Sequence, residues 1–93
     1  MSRRDRLQQM LQGEVFSLAY SLLKDIPRIH ENTIVCCALL GCNLTPKQVL
    51  IYHPEPNYTL TTVYKINSRF KDTIDVLKRE SHQLYKAAGL IIE

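Results

Sequence analysis

The residue types able to do acid-base, nucleophilic or metal chemistry in this chain are three histidines, three cysteines and nine carboxylates. A zinc site needs four ligands that converge, and neither the Cys36-Cys37 pair with Cys42 nor His30, His53 and His82 falls into a finger spacing. The cysteines occupy one apolar run, are odd in number, and follow a start, MSRRDRLQQM, that continues into polar residues rather than a signal-peptide core. They read as small buried hydrophobes in a reducing, cytoplasmic setting, not as a disulfide framework. Asp72 and Asp75 stand about a turn apart with Glu80 beyond. Carboxylates on a solvated helix face keep ordinary acidity and make poor general acids. The three glycines are isolated, so no glycine-rich loop is present to cradle a phosphate. The expectation is a protein that is not an enzyme, with no catalytic residue, no cofactor and no metal.

Binding is the remaining chemistry, and the charge distribution says where. A net charge of +3 is too small for a purely electrostatic nucleic-acid coat. Residues 61–71, however, carry Lys65, Arg69 and Lys71 with no acid before Asp72. Arg3, Arg4 and Arg6 form a second basic group, which reads as a charged, unstructured terminus in preference to a DNA-contacting arm.

Elements must hold these side chains in place. At 93 residues and 45% hydrophobic content the chain suits one domain, residues 1–93, with no apolar run of the roughly 20 residues a membrane span requires. Apolar residues recur at helical spacing over residues 5–26, and Pro27 predicts an end near Asp25. A second helix is predicted from Glu31 or Asn32, with Asn32 or Thr33 as cap and Gly41 in a left-handed terminating position. Strand is the competing reading for this short run of Ile, Val and Cys. Thr45 followed by Pro46 marks the start of a short third helix, and the HPEP stretch forces a loop over residues 53–58. Asn57 or Thr59 then caps a long last helix that reaches Ala88 and ends at Gly89. Along it Val63, Phe70, Leu77 and Leu84 repeat every seven residues, although Thr73 and Glu80 interrupt the alternate positions of a coiled-coil seam. The predicted fold is all-α: a small four-helix domain with a helix-turn-helix-like core over about residues 31–72 and a long C-terminal helix.

A short capped helix, a turn, and a second helix with Thr, Lys, Ser and Arg on its outer side is the order of a helix-turn-helix. The run CCALLGCNLTPKQVL followed by TLTTVYKINSRFK resembles the LuxR-type and sigma-factor-like helix-turn-helix at the ends of bacterial transcription regulators. The resemblance covers about residues 33–71 and rests on Leu39, Leu40, Gly41, Thr45, Lys47, Val49, Thr62, Val63 and Arg69. It departs from the pattern between Val49 and Val63, where HPEP adds about four residues to a turn that is normally tight.

The resemblance implies a small regulator that binds double-stranded DNA with the helix at about residues 60–72 in the major groove. Lys65 and Arg69, with Lys71 beside them, would reach base edges or phosphates, and a bidentate Arg-guanine pair is worth about 1–3 kcal/mol of discrimination. Thr59, Thr61, Thr62 and Ser68 would donate to phosphates near the helix start. Thr59 has the alternative role of a simple cap, and Tyr58 or Tyr64 would lie against the backbone. A different class of function is a helical interaction module without nucleic acid. There the apolar stripe of Phe70, Ile74, Leu77 and Leu84 would be partly exposed and covered by a homodimer or a protein partner.

Overall fold

The computed structural model describes the backbone of residues 3–90 and, within it, every side chain except those of residues 3–5 and 8. Five α-helices follow one another: α1 (Arg3–Leu23), α2 (Glu31–Gly41), α3 (Pro46–Tyr52), α4 (Leu60–Arg69) and α5 (Lys71–Ala87), with no strand among the described residues. Helices α1, α2 and α5 pack against one another, and α3 and α4 close over the other side of α2.

On α1, Leu11, Val15, Ala19 and Leu23 are buried at four-residue intervals, and Gln12, Glu14, Ser17 and Ser21 face solvent. The helix stops at Leu23, short of Asp25, because Ile26 and Ile29 turn back onto the core and Arg28 takes a left-handed φ of 62°. The backbone is helical from Arg3, so the expected unstructured terminus is corrected there. The side chains of Arg3 and Arg4 lie outside the described residues, and Arg6 is exposed.

Helix, not strand, forms at α2, and Ile34 and all six residues from Cys36 to Gly41 are buried. Its cap is His30, whose Nδ1 accepts from the Asn32 amide at 3.1 Å, in place of Asn32 or Thr33. The left-handed terminator is Asn43, φ 65°, in place of Gly41. The Asn43 and Leu44 amides donate to the carbonyls of Leu40 and Leu39, the paired bonds of a Schellman ending. Gly41 serves another purpose: a Cβ built there would stand 2.5 Å from Leu77 Cβ, so its missing side chain is what lets α5 approach α2.

The single long C-terminal helix predicted from sequence is broken at Phe70, φ −110° and ψ 27°. The break falls where the partners change, since α4 packs on α2 and α3 whereas α5 packs on α1 and α2. Hydrogen bonds from Phe70 to Ile66 and from Ile74 to Phe70 bridge it. The apolar stripe is not exposed: Val63, Phe70, Ile74 and Leu77 are buried in the core and Leu84 packs at its edge. A chain this small can fill its centre only by taking this stripe inside.

A candidate nucleic-acid interface on helix α4

Helices α3 and α4 start in the same way. Thr45 Oγ1 accepts from the Gln48 amide at 3.2 Å while Gln48 Oε1 accepts from the Thr45 amide at 2.9 Å. Thr59 and Thr62 repeat the exchange, Thr59 Oγ1 accepting from the Thr62 amide at 3.3 Å and Thr62 Oγ1 from the Thr59 amide at 3.4 Å. Each box satisfies two backbone donors that a helix start leaves unpaired. Leu44 and Val49 around the first, and Tyr58 and Val63 around the second, join the core at the positions of a hydrophobic staple. Thr59 and Thr62 are thereby committed to positioning α4, each already engaging the other's backbone.

The intervening residues 53–59 fold back onto α2. His53 Nε2 lies 3.3 Å from Asn32 Oδ1 and 3.5 Å from Glu55 Oε1, tying the turn to the first turn of α2. The Tyr58 amide donates to the Glu55 carbonyl at 3.0 Å. His53 thus holds the start of the longer turn against α2, while Pro54, Pro56 and Asn57 stay exposed.

Anchored at its start and on its inner side by buried Val63 and Ile66, α4 leaves half its circumference in solvent. Leu60, Thr61, Tyr64, Lys65, Ser68 and Arg69 are exposed, and at 3.6 residues per turn they form one continuous face without a carboxylate. The Arg69 guanidinium lies 5.1 Å from the Phe70 ring centroid. A cation held over a ring face is attracted by the ring's electrons, which restrains the Arg69 side chain at the exposed end of α4. Lys71, also exposed, stands past the break as the first residue of α5.

Thr61, Lys65, Ser68 and Arg69 of the predicted nucleic-acid residues therefore share the exposed face, Thr59 and Thr62 form its cap, and Lys71 adjoins it. Leu60 is a member that sequence reasoning missed; its position one turn before Tyr64 was the available signal. The predicted partner-contact residues are elsewhere. Phe70, Ile74 and Leu77 are consumed by the chain's own core, and Leu84 lies at its margin.

The residues considered for other chemistry fall apart in space or in reactivity. His30 caps α2 and His53 is engaged by Asn32 and Glu55; the described residues hold no group of three or more potential metal ligands. Burial pushes the Cys36 thiol up to about 11, with Glu55 adding to the effect. Burial likewise lifts Cys37 to about 12 and Cys42 to about 11, the Ser81 hydroxyl slightly opposing it at Cys42. These thiols are protonated, and so poorly nucleophilic, at neutral pH. Ser81 Oγ is fully buried beside the Cys42 thiol, a polar atom on the buried side of α5 that the sequence reading overlooked. No helix among the described residues is long and apolar enough to cross a membrane. No protein-family model, curated protein or solved structure matches the chain.

Proposed function

We propose that this protein is a small DNA-binding regulator that lays α4 in the major groove of a duplex, as the second helix of a helix-turn-helix does. The observation that carries this reading is the exposed, acid-free face of α4, with Lys65 and Arg69 one turn apart on a helix whose other half is anchored in the core. A major groove about 12 Å wide admits one helix, and the phosphates that flank it attract a basic one. The mutual packing of α2, α3 and α4 and the two capping boxes support the resemblance to bacterial regulators, and the turn tied to α2 leaves the face of α4 uncovered.

The test is binding of the full chain to mixed-sequence duplex DNA over a salt series. Affinity that falls with salt, and drops at least about tenfold in the Lys65→Ala, Arg69→Ala double variant, is the expected result. A folded protein that binds no duplex at low salt overturns it.

A second reading, a protein-interaction module, is favoured by one specific observation. At the end of α3, Ile51 and Tyr52 are 71% and 69% exposed. Large apolar side chains this bare are suited to a protein contact. In that reading the contact is made by α3, and concentration-dependent association weakens in the Ile51→Asp variant.

A further inference from the structure

Resting on the reading that α4 enters the major groove, we infer that the protein selects duplex sites in which thymine stands next to guanine, recognising the thymine methyl group by contact and guanine by hydrogen bonds. The exposed face divides chemically across its width. Along one edge Leu60 and Tyr64, 40% and 55% exposed, lie one turn apart and present apolar surface amid polar neighbours. The apolar feature that a base pair shows in the major groove is the C5-methyl of thymine. Along the opposite edge stand Lys65 and Arg69, whose side chains only donate. Their natural counterpart is the guanine edge, where O6 and N7 both accept.

What the face lacks is equally selective. Adenine is read by a carboxamide, which accepts from N6 and donates to N7, and cytosine by a carboxylate that accepts from N4. No Asp, Glu, Asn or Gln is among the exposed residues of α4; its Asn67 is half-buried, and Asp72 belongs to α5, beyond the break at Phe70. Thr61 and Ser68 carry hydroxyls that both donate and accept and so discriminate little. Arg69 is the stronger reader of the two cations, because its guanidinium is already stacked on Phe70 and loses less freedom on binding than the unanchored lysine chain. At about 1.5 Å per residue the stretch from Leu60 to Arg69 covers roughly 13 Å, which is about four base pairs at 3.4 Å each. The site contacted by one copy is thus about four base pairs long, and within it thymine lies under Leu60 and Tyr64 with guanine beside it under Lys65 and Arg69. The methyl contact also specifies DNA over RNA, which has uracil and a deep, narrow major groove.

The experiment is selection of the full chain against a random-sequence duplex library, followed by titration of the enriched duplex and two modified copies. One carries deoxyuridine for thymidine, removing only the methyl; the other carries 7-deazaguanine for guanine, removing only N7. The expected result is enrichment of adjacent T and G. Each methyl removed weakens binding about fourfold, and loss of N7 weakens it about tenfold or more. In the Leu60→Ala, Tyr64→Ala double variant, with its thermal unfolding checked against the parent, the thymidine and deoxyuridine duplexes bind alike while salt-sensitive binding persists. Salt-sensitive binding of the parent with no preference for T over deoxyuridine, or with none for guanine over 7-deazaguanine, overturns this inference and leaves α4 as a DNA-binding helix. Absence of duplex binding at any salt overturns both, and self-association lost in the Tyr64→Asp variant would then assign the apolar edge of α4 to a protein contact.

Discussion

Helices α2 and α4 are nearly the same length, eleven and ten residues, yet they use their surfaces in opposite ways. Beyond its first turn α2 is apolar almost all round and sits between α1 and α5 on one side and α3 and α4 on the other. The two thiols on the helix, and that of Cys42 just past its end, are held protonated by burial. Helix α4 buries only Val63 and Ile66 and keeps a polar, basic half free. The difference separates two kinds of constraint: at α2 a change of one methyl alters packing on every side, whereas on the outer half of α4 a change of charge alters the exposed surface and little of the packing.

Alkaline pH gives the largest effect that sharpens this contrast. A thiol whose value rises from the ordinary 9.0 to about 11 or 12 in the folded chain keeps its proton after the unfolded chain has lost it. Stability is therefore fully present below about pH 9 and falls as pH climbs toward 11–12, by up to about 1.4 kcal/mol per pH unit for each thiol. Urea titrations over that range should show it, with a shallower slope in the Cys37→Ala variant; an unchanged slope would break the account of α2. Next in size, Gly41→Ala should cost about 1–3 kcal/mol by driving a Cβ into Leu77. The same substitution at Gly13, which has open space around it on the exposed side of α1, should stabilise by about 0.5–1 kcal/mol. Two thermal melts therefore test whether burial sets the sign.

At the start of α4, Thr59→Ala should lose about 1 kcal/mol through the broken capping box and weaken DNA binding by no more than that local loss. Smallest in stability is the Lys65→Ala, Arg69→Ala pair. Denaturation should move by less than about 1 kcal/mol, mostly from the lost Arg69-Phe70 stacking, while duplex affinity falls steeply. A large loss of stability here would erase the distinction between the two helices.

Much of the fold was legible because caps and period are local signals. Thr45-Pro46 starts α3 and Thr59 starts α4 where their hydroxyls predict, since the groups each satisfies are only three residues away. The stripe from Val63 to Leu84 was visible as a stripe, but its partner was not. Whether an apolar face meets the rest of its own chain or another molecule depends on where α1 and α2 lie, and no spacing within residues 60–87 encodes that. The glycine at 41 shows the same limit from the other side. Read locally it suits a helix terminator; in the folded chain Asn43 takes the left-handed position and Gly41 is needed for the approach of a helix thirty-odd residues away.

Apart from Leu60, the residues that build the face of α4 were readable in order: a cap, a basic pair one turn apart, hydroxyls at Thr61 and Ser68, and no acid. Helical periodicity fixes those relations within a single element, so they need no knowledge of the rest of the chain. The break at Phe70, the tie of His53 to Asn32, the burial of Phe70, Ile74 and Leu77 and the exposure of Leu60 came instead from packing. Those features depend on contacts between residues distant in sequence, where volume and the competition for the core decide which of several locally acceptable faces goes inside.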